Sequence, residues 1–477
     1  MTAFRKNIPF NTTGPSYQSR SRPLASQESK MFYPQAVEEG KDNFVLHSFY
    51  GLKQVGLGAG PDRGMHNFAE VGYRIAGTKL QSFDKLGNHT DIGDIPGTQR
   101  MIMADDGANL IIVGEDGQFI YDGSTISSIT DANIVGSTSA TFLNSQIIYG
   151  NTSTNLYVVA NPNDPANANG LNAARAESDP DELVRTYAFQ QNVYMFGTRT
   201  VEPYWNPGVG NPPIERLDGQ IIQVGTSAIH SPANTDEALY WLGDDNAIYF
   251  TTGGQRQRIS TAAISNAIEG YSTTDDAIGY TFTIQGMNFY ALTFPTAGKT
   301  WCVNELLGNK GWFELSSGTE GGIYQGSSLI NVYGKNFVAD KDNGNLYELD
   351  RDTFTNNGET IQRRRVTSTI DSRILGVGPG AEVQASTVKF IMETGVGLIE
   401  GQGENPKIQF EVSFDGGRSW TERGWGDVGR LGEYTIQVEM DLLDIFYEMM
   451  IRLTTSDPIQ YSIYSASGTF RLTGQHK

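Results

Sequence analysis

Between Val71 and Glu348 the chain repeats one hydrophobic pattern seven times: alternating apolar residues, a Gly/Asp/Asn turn, then an aromatic-rich alternating run. The copies begin near Val71 (VGYRIAGTKLQSF), Leu110 (LIIVGEDGQFIY), Gln146 (QIIYGNTSTNLYVV), Tyr187 (YAFQQNVYMFG), Leu239 (LYWLGDDNAIYF), Tyr280 (YTFTIQGMNFYAL) and Leu329 (LINVYGKNFVADKDNGNLYEL). Alternation on both sides of residues that tolerate positive φ predicts a β-hairpin at each copy. A period of roughly 40–50 residues, with about four short strands per unit, is the pattern of β-propeller blades. The chain is therefore expected to be all-β, with a propeller of six or seven blades over residues 51–375. The first or last copy could belong to a closing blade or to a second domain.

The flanks read differently. Residues 1–50 lack alternation and are rich in Ser, Gln, Arg and Asn, which predicts an extended N-terminal arm. Its apolar anchors are Phe32-Tyr33-Pro34 and Phe44-Val45-Leu46, and it would gain order against its own body or a neighbouring subunit. Residues 376–477 contain clean alternating runs such as KIQFEVSFDGG and QYSIYSASGTFRL, which predict a separate antiparallel β-sandwich. Two segments carry helix signals. In 173–186, Ser178 and Asp179 precede Pro180. In 258–271, Ser260 or Thr261 serves as N-cap, Ala262, Ile264, Ala267 and Ile268 share a face, and Gly270 is the stop. The dense basic run Arg363–Arg365 reads either as a solvated edge strand or as a contact for an acidic neighbouring subunit.

Charge changes the picture. Against 35 Lys and Arg stand 54 Asp and Glu, a net charge of −19. A protein that grips nucleic acid needs a basic surface, so stable nucleic-acid binding is disfavoured. Acidity would keep a large protein soluble, or would repel DNA that a wall must contain without holding. No apolar run is long enough to span a bilayer, and the N-terminus carries no apolar segment of a secretory signal. Cys302 is the single cysteine, which excludes an intrachain disulfide, fits folding in a reducing cytosol, and reads as a small buried hydrophobe.

Candidate chemistry is sparse. Ser413-Phe414-Asp415-Gly416-Gly417-Arg418-Ser419-Trp420 fits the Asp-box pattern of sialidase propellers, in which Asp and Ser bind turn backbone while Trp packs beneath. Asp340-Lys341-Asp342-Asn343-Gly344-Asn345 approaches a calcium loop. Its glycine comes one position early and Arg351 stands at the twelfth position, so a hairpin turn is expected. His47, His66, His89, His230 and His476 show no metal-ligand spacing. No Walker loop, HExxH or G-x-S-x-G motif occurs. No catalytic, cofactor-binding or metal residues are nominated and no cofactor is expected. Trp205, Trp241, Trp301 and Trp312 are expected to pack between blades.

Residues 176–208 and 212–250, with QRISTAAISNAI at 257–268, resemble the packaged-DNA stabilisation proteins, the tail nozzle or tail accessory factors of short-tailed bacteriophages. The residues that carry the likeness are Ser178 and Asp181, Phe196-Gly197 through Thr200, Glu202 and Trp205, Gly219 and Gly225, and Arg258-Ile259-Ser260-Thr261. Tyr17 to Arg22 and Phe32-Tyr33-Pro34-Gln35 are similar to the family's N-terminal arm, where Tyr-Pro-Glu is more usual. The resemblance implies a non-enzymatic virion tail protein, made in the host cytoplasm. In that family several copies, typically six, form a ring below the portal and its adaptor and extend the channel for DNA ejection. A plug or needle protein closes the ring, tailspikes or fibres attach nearby, and double-stranded DNA passes transiently. Acidic blade or tip loops would line such a channel without attractive sticking points. The alternative is a surface propeller of a phage or bacterium that binds or hydrolyses glycan.

Overall fold

In the computed structural model, residues 6–18, 26–37, 44–152, 154–176 and 181–473 are described. Seven antiparallel four-stranded units follow one another: 62–94, 102–128, 139–175, 183–216, 233–258, 278–315, and 326–350 completed by Gly51–Leu57. We number them blades 1 to 7. The first strand of each is innermost; these strands neighbour one another at every junction except that of blades 4 and 5, which an apolar core closes, and blade 7 meets blade 1 through Gly326–Val332 and Asp62–Phe68. Each sequence repeat falls on one blade, which resolves the count at seven. Closure comes from Gly51–Leu57, which pairs antiparallel with Asn345–Asp350 as the outer strand of blade 7.

Packing follows from alternation. Apolar residues on both faces of each blade meet the next blade, so a separate apolar core lies at every junction. Ile75, Leu110 and Ile112 join blades 1 and 2. Ile111, Val113 and Ile147 join 2 and 3, and Ile148, Val159 and Val193 join 3 and 4. Phe196 and Trp241 join 4 and 5, Tyr240 and Trp312 join 5 and 6, Phe289 and Val338 join 6 and 7, and Phe83 with Phe337 returns from 7 to 1. Each such side chain contributes roughly 1.5–3 kcal/mol by leaving water. Trp241, Trp301 and Trp312 are buried blade-packing residues as expected, whereas Trp205 is 42% exposed.

The predicted helix at 258–271 forms over Ala262–Glu269, with Thr261 as N-cap accepting from the Ile264 N–H and Gly270 at the C-cap. Its buried face is Ala263, Ile264 and Ile268, so Ala263 takes the place expected for Ala262. The helix expected at 173–186 does not form in its described parts. Ala173–Arg175 and Leu183–Phe189 are strands, because each finds a blade to pair with, and residues 177–180 lie outside the described ones.

The largest departure concerns the flanks. The N-terminal arm gains its order against the chain's own body: Lys6–Phe10, Phe32–Ala36 and Phe44–Ser48 join one sheet of the C-terminal sandwich, and Tyr17–Gln18 and Ser26–Lys30 join the other. Residues 363–371 also belong to the sandwich, not to the propeller: Arg363–Val366 pairs with both Ser26–Lys30 and Glu448–Thr455. That strand is central, not a solvated edge. Arg363 and Arg365 are fully buried. Burial pushes the Arg365 guanidinium down to about 9 and that of Arg363 down to about 10. Arg365 answers the carbonyls of Thr12, Gly14 and Glu28, while Arg363 answers that of Phe354. Ser26–Lys30 also meets Trp312–Leu315, so one sheet runs from blade 6 into the sandwich, with Lys30 and Lys299 both on Glu314 at 3.3 and 2.6 Å.

Candidate functional site

The residues that carry the family resemblance converge on an interlocked turn between blades 4 and 5. Asp181 precedes the first strand of blade 4 and accepts from the backbone N–H groups of Arg199 and Thr200 at 2.9 and 2.7 Å, and from the hydroxyls of Thr198 and Thr200. Burial pushes its pKa up, but these hydrogen bonds outweigh it and hold the carboxyl below its ordinary range. Only glycine fits at 197, since a Cβ would stand 2.2 Å from an Asp181 oxygen. Gly225 passes equally close to the Gly197 carbonyl, at 2.3 Å from an added Cβ. Glu202 is buried against the Tyr204 hydroxyl at 3.0 Å, with Arg216 at 3.5 Å. Arg258 ends the last strand of blade 5, just before the helix, and donates to the Ser260 hydroxyl, which also accepts from the Ile248 N–H. The motif residues thus hold backbone, not substrate. Ser178 lies outside the described residues, Trp205 faces solvent, and Gly219 sits in a turn with φ near 82°.

The remaining sequence candidates are also local devices. In the Asp box, Ser413 donates to Asp415, which in turn accepts from the N–H groups of Arg418 and Ser419 and from the Ser419 hydroxyl. Those bonds, led by that of Ser419, hold the Asp415 carboxyl far below the ordinary range. Trp420 packs under the Arg452 guanidinium at 4.4 Å. Residues 340–345 form the hairpin turn between Lys335–Asp340 and Asn345–Asp350, where the buried Asp340 accepts from Tyr347 at 2.6 Å. His47 meets Ser462, and His66 meets Asp105 at 2.7 Å. His89 is half-buried with both ring nitrogens enclosed, which lowers it to about 4 with help from Arg74. His476 lies outside the described residues. Cys302 is buried in a blade-6 strand, which pushes its thiol up.

Two features escaped sequence reading. At the propeller axis lies a cavity of about 680 Å³ lined by the inner strands of all seven blades. Arg100, Arg185 and His230 line it near enough to act on one another electrostatically, and His66, Asp105 and Asp106 line it as well. Arg100 is held by Asp62 at 3.3 Å, and Asp62 also accepts from Ser327 at 2.8 Å, so one carboxylate ties blades 7, 1 and 2. No motif predicts this funnel, because its residues sit one per blade and are far apart in sequence.

The second feature is apolar. The sandwich exposes large side chains at both ends of its long strand Val383–Met392. Leu443, Ile445 and Tyr447 lie beside its start, where Ile445 pairs with Gln384. Near its finish are Ile399, Leu431 and Tyr434, with the Tyr434 carbonyl bonded by Thr394. Ile399 and Leu443 are 83% and 82% exposed. Such concentrations mark contact surfaces more often than chance exposure does.

A closed seven-bladed ring fused to a sandwich defines a β-propeller with an appended β-sandwich. The chain belongs to the phage-stabilisation family described as Bacteriophage P22 Gp10, beta-propeller, whose profile matches residues 29–354. Tail hub protein gp10 of Salmonella phage P22 is 22% identical over 308 residues, which cover 60% of this chain and 64% of that protein. The chain thus spans less than two thirds of that relative's length. Among solved structures, the extracellular domain of a hybrid two-component system from B. thetaiotaomicron superposes with a TM-score of 0.44 at 10% identity, over 76% of this chain and 46% of its own. The Pan2 WD40 domain of Neurospora crassa gives 0.42 at 12% identity, over 66% and 98%.

Proposed function

We propose that this chain is the wall material of a ring in the tail of a short-tailed phage. That it is a structural phage tail protein follows from its family. The finer reading is that several copies, six by the family resemblance, extend the DNA-ejection channel below a portal and adaptor and retain packaged DNA until infection. The observation that carries it is the family match over 29–354, which takes in all seven blades. Two properties support it. The sandwich offers exposed apolar groups suited to contacts between subunits, and the net charge of −19 suits a wall along which DNA must slide. A plug or needle protein and tailspikes or fibres are the further partners of this reading, and the role needs no catalysis.

The test is assembly. Mass photometry and negative-stain imaging of the purified chain, alone and with its portal–adaptor complex, should show a ring with a central opening. A monomer in every condition, or a ring whose lumen is net basic, overturns the proposal.

A further inference from the structure

The axial funnel contains a cation without a counter-ion. Arg185 is the third residue of Leu183–Phe189, the inner strand of blade 4. The residue is half-buried and borders the cavity. One amino group donates to the Ile229 carbonyl at 2.8 Å, and the plane lies over the Tyr187 ring at 4.9 Å. Its Nε–H is buried with no hydrogen-bond partner. Among the described residues no carboxylate pairs with it. Burial lowers it to about 10, and the nearest like charge, Arg100, adds to the effect while Tyr187 opposes it. A half-buried cation with an unpaired donor is stabilised when an anion completes it.

Arg100 also lines the cavity but has its own carboxylate, Asp62, at 3.3 Å. His230 lines the same cavity, and burial followed by the charges of Arg100 and Arg185 keeps its ring neutral. A neutral imidazole still offers one N–H donor. The acidic groups of the funnel are engaged elsewhere: Asp105 with His66, and Asp106 with the N–H groups of Ala108 and Asn109 in its own turn.

We propose that the axial funnel is an anion-binding site, in which Arg185, flanked by Arg100 and His230, receives an oxyanion of the phosphate or carboxylate class. The guanidinium fork supplies paired donors suited to two oxygens of one group. Three observations carry the proposal: an open cavity of about 680 Å³, an arginine there with a donor to spare, and no acidic partner for it. It stands whether or not the chain assembles into a ring.

The experiment is calorimetric titration of the full chain with inorganic phosphate and, separately, acetate, at constant ionic strength and with chloride as the blank. Saturable uptake at one site per chain is expected, and the stronger of the two anions identifies the class. Arg185→Gln should weaken it at least about tenfold. His230→Asn should weaken it severalfold, while Lys389→Gln, which removes an exposed cation on the sandwich, should change nothing. Absence of saturable uptake of either anion by the wild-type chain overturns the proposal. So does unchanged affinity in a folded Arg185→Gln. If that variant does not fold, His230→Asn decides, and unchanged affinity there overturns the site.

Discussion

The Arg365 guanidinium donates to the Thr12 carbonyl at 2.7 Å, joining residues 353 positions apart and fastening the N-terminal segment into the C-terminal sandwich. The same side chain also reaches Gly14 and the Gln27 side chain at 3.0 and 3.1 Å. Replacing it by methionine keeps the length and removes every donor, leaving buried carbonyl oxygens unpaired. Arg365→Met is expected to cost about 3 kcal/mol in urea unfolding, and to expose residues before Ser29 to limited proteolysis. Arg365→Lys should recover only part of the loss, since one ammonium cannot reproduce the fork.

The interlocked turn of blades 4 and 5 gives a second expectation, with a pH signature. Asp181 has a folded pKa below its unfolded value. Its contribution is therefore complete above the unfolded value of about 4, and is lost as pH falls through the folded one. Asp181→Asn should destabilise the chain by about 2 kcal/mol at neutral pH and flatten the decline of stability as pH falls below about 4. Denaturant midpoints of both proteins measured across that range give the comparison. Parallel acid slopes would mean that Asp181 is not the group responsible.

How legible this was in the sequence depended on the range of the interactions. Blades could be read because a hairpin such as Val71–Ala76 with Lys79–Phe83 writes its alternation and turn within one short stretch. Thr261 and Gly270 were readable for the same reason. The place where the arm docks was not legible, because Lys6–Phe10 is a strand only by virtue of Phe470 and its neighbours, far along the chain. Arg363 and Arg365 look like surface residues in isolation. They are buried because the carbonyls they satisfy come from segments that no local pattern connects to them. The funnel was invisible for a related reason: Arg100, Arg185 and His230 are brought together only by ring closure.

Ring closure itself can be tested at Gly51. This residue starts the strand that completes blade 7, and its N–H donates to the Thr353 carbonyl at 2.6 Å. A Cβ at this position would stand 2.1 Å from the Thr355 carbonyl oxygen, where backbone cannot easily yield. Gly51→Ala is expected to lower stability by about 2–3 kcal/mol, as overpacking in a closed core does. Hydrogen exchange should then quicken first in Asn345–Asp350, its ladder partner. An equally stable variant would show that closure tolerates a shift of the 353–355 turn.

The exposed apolar groups of the sandwich give the last expectation, which separates assembly from folding. Ile399 and Leu443 project from opposite ends of Val383–Met392, and neither contributes to the sandwich core. Changing either to aspartate removes apolar surface that only a partner could bury and places a charge there. Within the subunit the cost should stay within about 0.5 kcal/mol, because nothing in the fold relies on those side chains. Across a contact the loss should be about 3 kcal/mol, roughly a 100-fold weaker association. Mass photometry of Ile399→Asp and Leu443→Asp beside the parent chain, with thermal unfolding as the folding control, distinguishes the two. If one substitution dissolves the ring while the melting temperature holds, that end of the strand is the subunit contact. If both leave the proposed ring intact, neither group lies in a contact between copies.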